Sequence, residues 1–256
     1  MLTAMYTLRY SIAVPITPSA KGQSHMIQSF RVLAIIPARG GSKGLPRKNM
    51  REIAGRPLIA WTINAAKENI YIDEVVVTSD DDEIITYSKS LGVSTVLRPP
   101  ELATDDALAS PVILHCLRQK LNFDLIIYLQ PTSPLRTSAH INNALEALVR
   151  SKKQNLIGVV SVVKTTAIPE RMYRYGSNGA LVGIMPSQEH GRQEIPTTYI
   201  LNGAIYCAFR DPLILAEGQF GKLELWPIVM EKHDSVDIDT GTDFEEAEAE
   251  FKKRLR

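Results

Sequence analysis

The chain has 256 residues, of which 45% are hydrophobic, and a formal net charge of +1. This length suits one domain with a full core, and the balanced charge argues against a nucleic-acid or membrane-surface partner for the whole protein. No apolar run is long enough for a transmembrane helix. The two cysteines, Cys116 and Cys207, lie in apolar segments, so we expect buried free thiols and a cytoplasmic location.

The first 25 residues do not follow the pattern of the rest of the chain. They are mildly apolar but are interrupted by Arg9, Pro15 and Pro18. They also lack the longer apolar core and the small-residue cleavage site of a signal peptide. We therefore expect residues 1–25 to be a tail outside the fold and residues 26–256 to form one domain.

A short apolar strand followed by a basic, glycine-rich loop is the most informative early stretch. Residues 32–36 are continuously apolar, which is typical of a central strand covered on both faces. The loop after Pro37 contains three glycines and four cations, namely Gly40, Gly41, Gly44, Arg39, Lys43, Arg47 and Lys48. Glycines let backbone N–H groups approach an anion. The loop matches neither common phosphate-binding glycine motif, so its residues alone leave phosphate binding and an ordinary tight turn both open.

Strand and helix patterns alternate through the first two thirds of the chain. Apolar runs predict strands over residues 74–79, 93–97, 125–129 and 156–163, and helical spacing predicts helices over residues 50–70, 83–91, 110–120 and 138–150. This alternation predicts a three-layer α/β fold with a mostly parallel sheet. We interpret the triplet Asp80, Asp81 and Asp82 as an acidic helix start rather than a metal site.

The alternation of strand and helix patterns stops after Lys164. Residues 165–200 are rich in proline, glycine, tyrosine and charge, which predicts an insertion of hairpins and loops that could act as a subunit arm. Beyond it we expect a strand over residues 199–209, a short helix over 210–218 and a strand over 223–230. A terminal amphipathic helix over residues 242–254 would have Thr242 as its N-cap.

Several polar residues follow predicted strands and are candidates for a site. Arg98 fits a ligand contact or a surface ion pair equally well, and Gln130 lies in a stiff loop with two prolines. Asn202-Gly203 fits a hairpin turn or a place where a ligand approaches the backbone. Asp237 and Asp239 would share one face of an extended segment, with Ile238 in the core. Such a pair can hold Mg²⁺ or cap the terminal helix.

Four stretches in the same order resemble the sialic-acid cytidylyltransferases, the CMP-nonulosonate synthetases. The first is Ala-Arg-Gly-Gly-Ser-Lys-Gly at residues 38–44 with Lys48-Asn49 after it, and the second is Gln-Pro-Thr-Ser-Pro-Leu-Arg at residues 130–136. The others are Asn-Gly-Ala-Ile-Tyr at residues 202–206 and Asp-Ser-Val-Asp-Ile-Asp-Thr at residues 234–240. The similarity runs from about Arg31 to near the C-terminus.

This resemblance implies a Rossmann-like α/β/α nucleotidyltransferase with an inserted dimerisation arm. It also implies transfer of CMP from CTP to the anomeric hydroxyl of a nonulosonic acid, with a homodimer as the assembly and Mg²⁺, held by Asp237 and Asp239, as the cofactor. The implied CTP contacts are Arg39, Ser42, Lys43, Asn49 and Arg98. The implied sugar contacts are Gln130, Arg192, Asn202 and Tyr206. Lys43, Arg192 and Asp239 are the implied catalytic residues.

Two departures from the family pattern leave the sugar open. Ile200-Leu201 replaces an Arg-Pro pair, and Ala107 and Ala109 stand where serines are common. Because we expect both changes toward the ligand pocket, legionaminic acid competes with N-acetylneuraminate as the substrate. A 3-deoxy-octulosonate cytidylyltransferase, a non-catalytic nucleotide-sugar binding protein and a nicotinamide dehydrogenase are rival functions. The dehydrogenase is disfavoured because the chain lacks Gly-x-Gly-x-x-Gly.

Overall fold

The structure is a computed structural model that describes residues 27, 29–42, 44–151, 158–185 and 197–254. The predicted tail over residues 1–25 lies outside the described residues, as do Lys43 and Arg192. Within the described part of the chain, no helix is both long and apolar enough to cross a bilayer.

One seven-stranded sheet organises the chain. Its strands, in their order across the sheet, are β11 (Leu225–Met230), β7 (Gly158–Thr165), β10 (Thr198–Phe209), β6 (Leu125–Tyr128), β1 (Val32–Pro37), β4 (Glu74–Ser79) and β5 (Ser94–Leu97). Strands β5, β4, β1 and β6 run parallel to one another, and β10 is antiparallel to both of its neighbours. Strand β11 is parallel to β7.

Helices cover both faces of this sheet, as the alternation predicted. Along β1, Val32, Ala34 and Ile36 belong to one buried cluster, and Leu33 and Ile35 belong to another on the opposite face. Both sets are fully buried, which explains why the strand is continuously apolar. The helices are α1 (Leu58–Lys67), α2 (Asp82–Ser90), α3 (Ala109–Gln119), α4 (Ser138–Ser151), α5 (Arg210–Leu215) and α6 (Gly241–Arg254).

A third, smaller apolar cluster joins segments that are far apart in sequence. It contains Leu45 from the glycine-rich loop, Leu135 from the loop after β6, and Ile238 from the segment before α6. Phe251 belongs to the same cluster, and the Trp61 ring packs against it with ring centroids 4.3 Å apart. This cluster therefore fixes the early loop against the C-terminal segment.

Two local predictions are wrong at helix starts. The helix predicted from residue 50 begins at Leu58, because β2 (Glu52–Ile53) and β3 (Arg56–Pro57) form a hairpin before it. Ala54 and Gly55 both have positive φ angles, of 49° and 78°, as a tight hairpin turn requires.

The terminal helix is capped by Thr240 and not by Thr242. The Thr240 hydroxyl accepts a hydrogen bond from the Asp243 N–H, and the Asp243 carboxylate accepts one from the Thr240 N–H. This reciprocal pair is a capping box, which satisfies two backbone donors at once.

A short hairpin occupies the predicted insertion. Strands β8 (Tyr173–Tyr175) and β9 (Leu181–Gly183) pair with each other in a separate two-stranded sheet. Every residue of both strands is exposed, including Tyr175 and Leu181. The hairpin prediction for residues 165–200 is thus confirmed within the described part of that segment.

The aspartate triplet after β4 starts a helix, as predicted. The Asp81 carboxylate accepts hydrogen bonds from the N–H groups of Glu83 and Ile84. We expect Asp81→Ala to lose about 1 kcal/mol of unfolding free energy, because these helix donors lose their cap. In a domain of this size the melting temperature should fall by about 2–4 °C. Asp82→Ala is the matched control in the first turn, and equal losses in the two variants would contradict the capping role.

Candidate functional site

A cavity of about 470 Å³ opens beyond the carboxyl ends of β1 and β6. This edge is where open α/β sheets bind their ligands. Seven residues selected from the sequence line the cavity together, namely Arg39, Ser42, Asn49, Arg98, Gln130, Asp237 and Asp239. The fold therefore brings the early basic loop and the late acidic pair to one place.

The glycine-rich loop lies directly against the acidic segment. A Cβ atom on Gly44 would be 2.4 Å from the Asp239 carbonyl oxygen, so only glycine permits this approach. The Lys48 ammonium group donates to the Ile238 carbonyl oxygen at 2.6 Å and to Asp239 Oδ1 at 2.9 Å. From the sequence alone, Lys48 is only one member of the basic cluster, with no role of its own.

The other two loop glycines differ in what surrounds them. A Cβ atom on Gly40 would be 2.6 Å from Asp81 Oδ2, and the Gly40 N–H donates to Asp80 Oδ1 at 3.1 Å. Gly41 has open space around its α-carbon and lines the cavity. Gly40 is therefore needed for a close contact with the aspartates after β4, whereas Gly41 leaves room for a ligand.

Arg98 supplies a buried cation to the cavity wall. Its residue is only 5% exposed, and its Nη2 donates to the Thr78 carbonyl oxygen at 2.8 Å. Its Nε is buried and has no hydrogen-bond partner among the described residues. Burial lowers the pKa of Arg98. A surface ion pair, which the sequence had left open, is excluded by this burial.

Arg39 and Asn49 form another part of the cavity wall. Arg39 Nη1 pairs with Asp105 Oδ1 at 2.7 Å, and Asn49 Nδ2 donates to the Arg39 carbonyl oxygen at 2.9 Å. Asn49 thereby holds the backbone that carries Arg39. Both side chains reach the cavity, as Arg98 does, so three of the expected CTP contacts surround one space.

The acidic pair has the alternation expected from sequence. Ile238 is fully buried, and its N–H donates to the Thr132 carbonyl oxygen at 2.8 Å. Asp237 and Asp239 on either side both line the cavity. Burial raises the pKa of Asp237, and the nearby Asp239 carboxylate raises it further, whereas Thr132 and Lys48 act in the opposite direction.

The donor set at this pair fits a hard divalent cation. Asp237 Oδ1 is buried and has no hydrogen-bond partner among the described residues. Among all the residues that the structure describes, no group of three or more His, Cys, Asp or Glu side chains is placed to hold a metal ion. A Mg²⁺ ion on these two carboxylates would therefore need ligand oxygens and water to complete its octahedron. The metal role of the pair stays a prediction.

A second cavity of about 360 Å³ adjoins the first and has an aromatic wall. Tyr206 packs against Phe220 and Tyr128, with ring centroids 5.4 Å and 6.4 Å apart. Gln130 lines both cavities, so its side chain stands at the boundary between them. Tyr128 and Phe220 were not selected from the sequence, because an aromatic residue in an apolar segment usually indicates only core packing.

Asn202 is the selected residue whose contacts are least like those expected. Its amide is buried, accepts from the Ser161 hydroxyl at 2.6 Å and donates to the Ser235 hydroxyl at 3.0 Å. It lines neither of the two cavities. A hairpin turn at Asn202-Gly203 is wrong, because β10 continues through both residues. The sugar contact of Asn202 stays a prediction.

Arg136, from the same loop as Gln130, is a buried anchor that sequence reasoning did not select. It donates to the carbonyl oxygens of Gln130 and Ala204 at 3.1 and 2.8 Å, and to the Thr62 hydroxyl at 2.6 Å. Burial lowers its pKa to about 9. Arg136 therefore ties the loop after β6 to α1 and to β10.

The two departures from the family pattern lie in different places. Ala107 and Ala109 line the first cavity, as expected. Ile200 and Leu201 are each 54% exposed and line neither of the two cavities, so the expectation that they face this pocket is not met. They precede a bulge in β10, and Ile200 lines a separate cavity that Asp237 also borders.

Comparison with known proteins gives consistent matches over most of the chain. Residues 33–251 match the family model described as Cytidylyltransferase. An N-acylneuraminate cytidylyltransferase of Escherichia coli O18:K1:H7 is 35% identical over 84% of this chain and 51% of that protein. The chain thus spans about half the length of this curated relative.

Two further matches are a sequence match to a second curated relative and a structural match at low sequence identity. The CMP-N,N'-diacetyllegionaminic acid synthase of Legionella pneumophila is 36% identical over 84% of this chain and 93% of that protein. A solved CMP:2-keto-3-deoxy-manno-octonic acid synthetase complexed with CTP has a TM-score of 0.69 at 18% identity, covering 88% of this chain and 100% of that chain. At that identity the structural match shows likeness of fold alone.

The half-buried carboxylate of Asp237 predicts a trade-off between stability and function. Asp237→Asn removes a charge that burial disfavours, so we expect a higher melting temperature in metal-free protein at neutral pH. The pKa of Asp237 is raised in the folded state. The charged carboxylate therefore destabilises the fold above that pKa, and this destabilisation disappears as the pH falls below it. The advantage of the variant should therefore vanish in acid.

Thermal melts in EDTA at several pH values would measure this difference. Asp239→Asn is the matched control, because the Asp239 side chain is 75% exposed and its charge incurs little desolvation. An Asp237→Asn protein that is less stable than wild type at neutral pH would contradict the desolvation argument.

Proposed function

The chain belongs to the cytidylyltransferase family, and from this premise we propose that it transfers CMP from CTP to the anomeric hydroxyl of a nonulosonic acid. The observation that carries this proposal is the single cavity lined by Arg39, Arg98, Lys48 and the pair Asp237 and Asp239. Cations beside two hard carboxylates suit a metal-bound triphosphate. The acceptor hydroxyl forms a bond to the α-phosphorus, and pyrophosphate leaves.

In this proposal the early loop binds the triphosphate. Gly41 and Ser42 border the cavity, and among the described residues no neighbour of Gly41 would block an approaching phosphate. Arg39 can form two parallel hydrogen bonds to phosphate oxygens, and Lys43 is proposed nearest the α-phosphate. Arg98 and Asn49 help to hold the cytidine. These groups neutralise charge that develops in the transition state.

Asp237 and Asp239 are the proposed ligands of Mg²⁺. When bound, the ion would supply charge neutralisation at phosphate oxygens and polarise the acceptor hydroxyl. The Lys48 ammonium group donates a hydrogen bond to one oxygen of Asp239, and this bond keeps the carboxylate oriented at the cavity edge. One of the two carboxylates accepts the hydroxyl proton.

The second cavity is the proposed sugar side. Its wall of Tyr206, Tyr128 and Phe220 suits the acyl and carbon-chain groups of a nine-carbon sugar acid, and Gln130 at the boundary can bond its polar groups. Arg192 is proposed to face an anionic group of the substrates. Legionaminic acid is the second candidate substrate, because the relative named for it is matched over 93% of its length.

A homodimer is the proposed assembly, and it is supported by exposed apolar side chains on the arm. Tyr175 is 83% exposed, and Leu181 opposite it is 63% exposed. Nearby Met172, Tyr173, Val182 and Ile184 are exposed as well. An apolar patch of this kind is typical of a protein interface.

Pyrophosphate release tests the proposed reaction. With CTP, Mg²⁺ and a panel containing N-acetylneuraminate, legionaminic acid and 3-deoxy-octulosonate, we expect release with a nonulosonic acid and none after EDTA. Asp237→Ala and Asp239→Ala should each lose at least about 100-fold in turnover, the scale of a lost transition-state charge contact. Asp211→Ala, at a side chain that is 85% exposed, is the control and should match wild type.

Two outcomes would count against this function. Pyrophosphate release with none of the sugar acids would favour a non-catalytic binding protein. Near-normal turnover in Asp237→Ala would show that Asp237 does not hold the metal, although the proposed reaction itself would stand.

Light scattering on purified protein tests the assembly. The wild type should have twice the 28.4 kDa chain mass, and a variant with both Tyr175→Glu and Leu181→Glu should have the single-chain mass, because like charges would oppose burial of the arm. Leu215→Glu, at an equally exposed leucine on α5, is the control that should remain dimeric. A dimeric arm variant would exclude this surface as the interface.

A further inference from the structure

A bulge interrupts β10 at the point where this strand passes the site. Before the bulge, Leu201 pairs with Val162 of β7, and after it Tyr206 pairs with Val160, so β10 contains extra residues between the two pairs. Gly203 within the bulge has a φ angle of +73°. Bulges of this kind redirect side chains and often lie beside active sites.

The α-carbon of Gly203 lies close to two residues of the proposed site and leaves no room for a side chain. A Cβ atom there would be 2.8 Å from Gln130 Oε1 and 3.0 Å from Asp237 Oδ2. Gln130 stands between the two cavities, and Asp237 is the less exposed member of the acidic pair. The bulge therefore forms the surface against which both functional side chains rest.

Hydrogen bonds fasten the bulge to the segments that carry these two side chains. On one side, Asn202 Nδ2 donates to the hydroxyl of Ser235, two residues before Asp237. On the other, one nitrogen of Arg136 donates to the carbonyl oxygens of both Ala204 and Gln130. Asn202 Oδ1 also accepts from the Ala204 N–H at 3.3 Å, which closes the bulge on itself.

We propose that the Asn202-Gly203 bulge is the positioning element of the site, which seats the Gln130 amide beside the Asp237 carboxylate. Gly203 acts by the absence of a side chain, and Asn202 acts through its hydrogen bond to Ser235. The bulge thereby fixes the sugar side relative to the acidic pair. This inference rests on the proposed cytidylyltransferase function.

Two different requirements for glycine at residue 203 can be separated. A positive φ angle favours glycine wherever it occurs, and Gly92 at the end of α2 has the same φ of +73°. At Gly92 the nearest atom to a Cβ would be Lys67 Nζ at 3.9 Å, which is an ordinary contact. Alanine at either residue suffers the same backbone strain, but only at residue 203 does it press on Gln130 and Asp237.

The pair Gly203→Ala and Gly92→Ala therefore tests the proposal. We expect both variants to lose melting temperature through left-handed strain, and Gly203→Ala to lose more, because its Cβ also displaces Gln130 and Asp237. Gly92→Ala should keep wild-type kinetics. Gly203→Ala should lose at least about tenfold in kcat and need more Mg²⁺ for half-maximal rate, since small misplacements of reacting groups cost up to about 100-fold. The KM for the sugar acid should also rise.

A binding measurement gives a readout that does not depend on turnover. Calorimetric titration of the metal-free proteins with Mn²⁺ should show weaker binding in Gly203→Ala than in Gly92→Ala. Equal Mn²⁺ affinity and equal kinetics in the two variants would overturn the positioning role. Absence of turnover in wild type and Gly92→Ala would instead reject the proposed function, and the Mn²⁺ comparison would still decide the role of the bulge.

Ser235→Ala is the second variant, for the case that Gly203→Ala does not fold. It leaves Gly203 in place but removes the hydroxyl that accepts from Asn202, so we expect roughly fivefold weaker Mn²⁺ binding. Ser90→Ala removes a comparable hydroxyl, which donates to the Tyr87 carbonyl oxygen on α2, and should leave binding unchanged. Wild-type Mn²⁺ affinity in Ser235→Ala would overturn the link through Asn202.

Discussion

The contact between the glycine-rich loop and the segment before the last helix is the constraint on which the site depends. Gly44 lies against the Asp239 backbone, and Lys48 bonds both the Ile238 carbonyl and the Asp239 carboxylate. Beneath them, Leu45 and Ile238 share one apolar cluster. Because each link requires the other segment, the cations that follow β1 and the carboxylates that precede α6 reach the same cavity.

Around this contact, buried polar atoms are left without partners where a ligand would meet them. Arg98 Nε and Asp237 Oδ1 are both buried and unbonded among the described residues, and both side chains line the first cavity. An unpaired buried polar group costs stability, so its presence at a cavity is expected of a functional site. Arg136 Nε is likewise buried and unbonded among the described residues, but Arg136 lines neither cavity, and its other nitrogens hold the loop and β10 together.

The sequence predicted the layered fold well, because continuous apolar runs mark buried parallel strands, and β4 was predicted with its observed bounds. It failed where local geometry overrode spacing, as at the Ala54-Gly55 turn and the Thr240 cap. Patterns also predicted which polar residues gather at the sheet edge. They could not reveal that Gly40 and Gly44 serve contacts within the protein, or that Asn202 points inward, because these depend on tertiary neighbours.

The most direct measurement of whether the loop and the acidic pair serve one ligand is a crystal structure with CTP and Mn²⁺. Anomalous scattering should place the manganese on both Asp237 and Asp239, with CTP phosphate oxygens completing its coordination and the triphosphate against Gly41 and Ser42. A triphosphate bound elsewhere on the protein, or a metal that contacts neither aspartate, would contradict the convergence on which the proposed function rests.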